Sequence, residues 1–157
     1  VLQTACRAAR DWHFGEPGSP RINVNLSAVQ FKGGSLIAAV AGLLQDSGLP
    51  PSALELELTE SAILLDRKKT VSDLHRLKSM GVRIALDDFG TGYSALEYLQ
   101  DFPVDTLKID RIFALNVHTD PAAAALTASI IAMGRALGLR VVAEGIETKE
   151  QRGRRRY

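Results

Sequence analysis

The chain has 157 residues, of which 46% are hydrophobic and 24% charged, with a net charge of +1 at pH 7; that is one domain at most, with enough apolar material for a sizeable core. The near-zero charge gives no global case for DNA, RNA or an anionic membrane surface as partner, and no apolar run reaches the roughly 18 residues that a bilayer span needs. The single cysteine, Cys6, cannot form an internal disulfide, which suits a reducing cytoplasm.

Residues 2–13 read as a helix, with Leu2, Cys6, Ala9 and Trp12 or His13 on one side. Residues 15–20 form a breaker-rich loop. Residues 21–26 are a strand with Ile22, Val24 and Leu26 on one face, and Ser27 caps a short helix through Phe31. Ser35 caps a helix through Leu44, which the stretch from Gly48 to Pro51 stops. A strand covers 54–58, a short helical or loop passage 59–66, and a helix 69–80 closed by Gly81. The next strand, 82–87, should end near Asp87, because Asp and Gly are poor strand residues. A short helix at 94–100, a strand at 106–109, a helix at 121–137 with Pro121 at its start, a strand at 140–143 and a helix from about Thr148 complete the order. A helix followed by five strand–helix units implies a parallel sheet with right-handed crossovers. No linker or low-complexity segment divides residues 1–151. The basic end, 152–157, reads as a solvated terminus or a cloning or frameshift remnant rather than a phosphate-binding arm. The chain does not begin with Met, so Val1 is not expected to mark a natural start.

Reading each strand by period two separates an apolar face from a polar one. Leu54, Leu56 and Leu58 oppose Glu55 and Glu57; Val82, Ile84 and Leu86 oppose Arg83, Ala85 and Asp87; Leu107 and Ile109 oppose Thr106, Lys108 and Asp110. Asn23 and Asn25 share a face of the first strand, and Glu144 ends the polar parity of the last. An open doubly wound sheet would be apolar on both faces. One apolar face, with charge concentrated at the C-terminal strand ends, fits an incomplete (β/α)8 TIM-like barrel, whose sites lie at that mouth. An antiparallel sheet with one wet face is the rival reading, and the intervening helices argue against it.

The mouth then holds Asn25, Glu57, Glu60, Asp87, Asp88, Lys108, Asp110, Glu144 and Glu147. Oxygen donors at that density suit a hard cation such as Mg²⁺ or Mn²⁺; without a Cys or His cluster, zinc is disfavoured. Taken singly, each residue also has a plain structural reading, and the pair Asp87-Asp88 alone reads more readily as an Asp-rich turn capped by glycine.

Five motifs, in this order, resemble the EAL domain family of bacterial cyclic di-GMP phosphodiesterases: Val24-Asn25-Leu26-Ser27, Glu57-Leu58-Thr59-Glu60, Asp87-Asp88-Phe89-Gly90-Thr91-Gly92-Tyr93-Ser94, Lys108-Ile109-Asp110 and Ala143-Glu144-Gly145-Ile146-Glu147. The resemblance covers about residues 2–151 and implies a modified (β/α)8 barrel that hydrolyses cyclic di-GMP to linear pGpG with Mg²⁺ or Mn²⁺. It implies that Asn25, Glu57 and Asp87 are metal ligands and that Asp88 serves a second cation. It implies that Lys108 and Asp110 orient the attacking water and that Glu144 is the general base, with Glu147 in support. Glu60 would anchor the loop 89–94, with Thr91 and Gly92, which in the family couples the site to homodimerisation. The Glu-Ala-Leu signature of the family's first strand and its closing Gln-Gly segment have no counterpart here. The expectation is therefore about five of eight strands and a chain weak or inactive by itself. Sensor or diguanylate cyclase domains, and a membrane anchor, would belong to a longer parent. A non-catalytic cyclic di-GMP receptor or protein-interaction module is the alternative, and a different metal-dependent barrel phosphodiesterase is a third reading, disfavoured by the loop after Asp87.

Overall fold

A computed structural model describes residues 2–10, 20–32, 34–64, 66–90 and 99–148. Its elements follow the order α1 (Leu2–Arg10), β1 (Ile22–Leu26), α2 (Ala28–Lys32), α3 (Leu36–Ser47), β2 (Leu54–Thr59), α4 (Glu60–Leu64), α5 (Arg67–Ser79), β3 (Arg83–Phe89), β4 (Thr106–Ile109), α6 (Arg111–Leu115), α7 (Pro121–Ala136) and β5 (Arg140–Ala143). A single 3₁₀ turn, Pro51–Ala53, leads into β2. The five strands form one sheet in the order β1-β2-β3-β4-β5, every pair parallel. Consecutive strands lying side by side, each pair joined across helix, is the arrangement of a barrel wall.

The period-two reading holds in three dimensions. Leu54, Leu56, Leu58, Ile84, Leu86, Leu107 and Ile109 are all fully buried. Against this aliphatic face pack α5 on β3, α4 on β2 and β3, and α7 on β4 and β5. Gly134 lets α7 approach the sheet, since a Cβ there would collide with Val141 Cγ2. The opposite face carries buried Glu55, Glu57, Asp87, Thr106 and Lys108, with exposed Asn23 and Asn25 on β1. A polar face that is nonetheless buried is what a closed-up sheet concavity produces, not a wet antiparallel sheet.

Caps set several boundaries. Gln30 Oε1 accepts from the Ser27 backbone N–H at 2.8 Å, the return half of a capping box on α2. Asp66 caps α5 through Lys69 N–H and so starts it two residues earlier than the apolar pattern indicates. Ser35 occupies the N-cap position of α3 without a side-chain bond. Its backbone is near-helical, φ −97° and ψ −2°, whereas a capping hydroxyl needs an extended backbone.

Three expectations change. β3 continues past Asp87 to Phe89, because a bulge between Leu86 and Phe89 lets pairing resume at Phe89 with Ile109. Asp88 sits in that bulge with φ +54°, a region Asp tolerates better than most residues. Helix α6, five residues long, follows β4 directly and has no counterpart in the sequence reading. Of the expected helix 94–100, Leu99 and Gln100 lie in a turn. The remainder of that helix, residues 11–13 of the first, the helix after Thr148, Thr91, Gly92 and the tail 152–157 lie outside the described residues.

Candidate functional site

The C-terminal strand ends bring four chain segments to one point. Glu57 lies two residues before the end of β2, Asp87 and Asp88 in the bulge of β3, Lys108 one residue before the end of β4, and Glu144 directly after β5. The Lys108 ammonium donates to Glu144 Oε1 at 2.6 Å, Glu57 Oε2 at 2.9 Å and Asp87 Oδ1 at 3.0 Å. One cation thus joins carboxylates from three different segments of the wall. Burial by itself would push the Lys108 pKa down; the hydrogen bonds to Glu144, Glu57 and Asp87 overcome this and hold it above the ordinary lysine range.

Further groups complete the surround. Asn23 Nδ2 donates to Glu57 Oε1 at 2.8 Å. One layer deeper, the Thr106 hydroxyl donates to Glu55 Oε1 at 2.5 Å, both residues 2% exposed. The Asp88 backbone N–H donates to Asp87 Oδ1 at 3.1 Å. Asp110 caps α6, accepting from Ile112 N–H at 2.7 Å, and also hydrogen-bonds the Asp88 side chain. Burial raises the Asp88 pKa, and the charges of Asp87, Asp110 and Glu144 together with the Asp110 hydrogen bond raise it further. Three carboxylates, Glu57, Asp87 and Glu144, therefore face one ammonium, and Asp88 and Asp110 add to the acidic surround.

Asn25, Glu60 and Glu147 are the remaining expected residues. Asn25 is exposed on the same face of β1, in register with Glu57. Glu60 is buried as the first residue of α4, and Glu147 is exposed in the chain after β5. The sequence reading placed Asn23 and Glu55 on the polar face without giving either a role. Period two assigns a face, not a partner, and Asn23 reaches Glu57 diagonally across the register.

A model of the EAL domain matches residues 1–154. The chain belongs to the EAL domain family. The bifunctional diguanylate cyclase/cyclic di-GMP phosphodiesterase MucR of Pseudomonas aeruginosa is 46% identical over 151 residues, 96% of this chain and 22% of MucR. A solved MucR phosphodiesterase in complex with cyclic di-GMP superposes with a TM-score of 0.90 at 45% identity, covering 97% of this chain and 62% of that one. Klebsiella pneumoniae BlrP1, solved with manganese and cyclic di-GMP, gives a TM-score of 0.85 at 29% identity over 95% of this chain and 37% of its own. The chain spans about a fifth of the curated relatives it matches, 18% of one and 22% of MucR. Its fold is accordingly the TIM-barrel type of the EAL domains, and β1 to β5 are neighbouring strands of that wall.

The donor chemistry of this EAL domain suits a hard divalent cation. Carboxylate and carboxamide oxygens predominate, and three carboxylates on one ammonium leave an excess of negative charge that is offset by cations rather than by anions. Burial first, and then the charges of neighbouring carboxylates, raise the Asp88 pKa beside this cluster. Among the described residues, no three acidic, imidazole or thiol side chains are gathered as a ready-made metal site, and the Lys108 ammonium stands where three of the carboxylates converge.

Proposed function

We propose that this EAL domain hydrolyses a phosphodiester bond of cyclic di-GMP to give linear pGpG in a reaction dependent on Mg²⁺ or Mn²⁺. The observation that carries the reading is the convergence of Glu57, Asp87 and Glu144 on Lys108, with Asp88 beside them. The cyclic di-GMP complex of MucR supports the choice of substrate, and the manganese and calcium complexes of BlrP1 support a divalent cation.

In this reading Asn25, Glu57 and Asp87 would hold one cation, and Asp87 and Asp88 would serve a second. Divalent cations at these positions would lower the pKa of a bound water and neutralise the phosphate. Lys108 holds Glu144 by Oε1, which leaves Oε2 to take a proton from the attacking water. Lys108 and Asp110 orient that water. Glu147 and Glu60 support the frame, Glu60 by anchoring the loop that contains Thr91 and Gly92. Self-association to a homodimer through the loop after Asp88 belongs to the same proposal, as do a cytoplasmic location and sensor or diguanylate cyclase domains in a longer polypeptide. Domain limits of 1–151, with a basic tail at 152–157, complete it.

Turnover by these residues alone is expected to be slow, because among the described residues β1 and β5 are both sheet edges and Asn25 stands on one of them. The test is an assay of cyclic di-GMP with Mn²⁺, following pGpG by chromatography, for this chain and for a longer polypeptide containing it. Mn²⁺-dependent turnover that Glu144→Gln abolishes is expected; a folded longer polypeptide that never releases pGpG refutes the enzyme reading. One observation favours a receptor instead: Lys108 already neutralises part of the cluster. Metal-independent nucleotide binding without turnover would select that alternative.

A further inference from the structure

We infer that Asn23 is a positioning residue, clamping the Glu57 carboxylate in the orientation in which it receives a divalent cation; the inference rests on the cation site proposed above. Glutamate carries a long side chain, and at a strand mouth its carboxylate can both swing and twist. Lys108 restrains only Oε2, and it divides its donors among three carboxylates. The second restraint is the Asn23 carboxamide, whose Nδ2 lies 2.8 Å from Oε1. With one donor on each oxygen, both the position and the plane of the carboxylate are set. A carboxylate oxygen accepts at two lone pairs, so each oxygen of Glu57 keeps capacity for a metal.

The chemistry of the donor matters as much as its place. A lysine or arginine at position 23 would also hold Glu57, but would cancel the charge that attracts a cation. A carboxamide fixes the group and leaves the charge intact. The register divides the labour on β1: Asn25 pairs with Glu57 and stands free to face a ligand, while Asn23, paired with Glu55, reaches up diagonally. Groups that orient a metal ligand without touching the metal typically govern affinity strongly.

The experiment measures Mn²⁺ binding to the full chain by calorimetry and by the paramagnetic signal of free Mn²⁺, for the parent, Asn23→Ala and Asn23→Gln, with thermal unfolding in EDTA beside it. Asn23→Ala is expected to weaken Mn²⁺ binding by about tenfold to a hundredfold, and Asn23→Gln, which keeps the donor, to retain most of the affinity. Asn23 is exposed, so the unfolding midpoint in EDTA should stay where it is, which separates positioning from a general structural role. Affinity of Asn23→Ala within about twofold of the parent, well short of that range, overturns the inference while leaving the cation site standing. A parent chain that takes up no Mn²⁺ overturns both.

Discussion

Replacing Lys108 by Met keeps most of the stem and removes the one charge that three carboxylates share. The Glu57 and Asp87 side chains are 7% and 12% exposed, whereas that of Glu144 is 38% exposed. Two of the three partners are thus left buried without a counter-ion, and stranding a buried partner costs about 3–5 kcal/mol. Glu144 can turn to water, so its bond adds no more than about 1 kcal/mol, as for a surface pair. Lys108→Met is therefore expected to lose about 3–5 kcal/mol in urea unfolding at pH 7 in EDTA. The pH dependence discriminates between the opposing influences on the ammonium. Burial lowers its pKa and the carboxylates raise it, the net direction being upward. A folded value above the unfolded one means that the contribution is whole below the ordinary lysine value of about 10.4. It is lost only as pH climbs from there through the raised value. The deficit of Lys108→Met should accordingly be equal at pH 7 and pH 9. A deficit under about 1 kcal/mol, the worth of a surface pair, or one that disappears by pH 9, refutes the reasoning, since burial would then dominate the carboxylates.

Asp88→Asn should raise the thermal midpoint at pH 7 in EDTA. The folded carboxyl has a raised pKa, so its contribution is full below about 3.9 and lost as pH rises through the folded value; a gain that persists at pH 3.5, or a lower midpoint at pH 7, contradicts this. Asn accepts the φ of +54° at that position, so the change tests charge rather than backbone. Gly134→Ala puts a Cβ into Val141 Cγ2, and such overpacking should cost about 1–3 kcal/mol in urea unfolding; pairing it with Val141→Ala should recover part of the loss. Gly145 has φ +67°, and a Cβ there would lie 2.6 Å from Arg111 Cβ. Gly145→Ala should therefore destabilise by more than the roughly 1–2 kcal/mol of the left-handed conformation alone, and by moving the adjacent Glu144 it should slow pGpG release more than Gly134→Ala does.

The architecture was largely legible because period two is a local property. Leu54, Leu56 and Leu58 against Glu55 and Glu57 announce a face to bury and a face to keep polar before any partner strand is known. The placement of acidic residues at strand ends follows from the same parity, and the helices between strands make the sheet parallel. The five motifs added the family, which the match over residues 1–154 bears out. Less was visible wherever one segment responds to another. The passage of β3 through Asp88 depends on a bulge against β4, which Asp and Gly propensities do not foresee. Helix α6 was missed because Asp110, read as a site residue, is also its N-cap, and five residues are too few to show a helical period.

The amino-acid order by itself therefore determined which side chains lie on the inner face of the wall and at which end of it, since alternation along a strand needs no knowledge of the neighbours. Only the tertiary structure decided that Lys108 stands among Glu57, Asp87 and Glu144, and that Asn23 crosses the register to hold Glu57. Those contacts join strands far apart in the chain, and their distances depend on how the strands are staggered and where the bulge falls, quantities set by packing between segments and absent from any one of them.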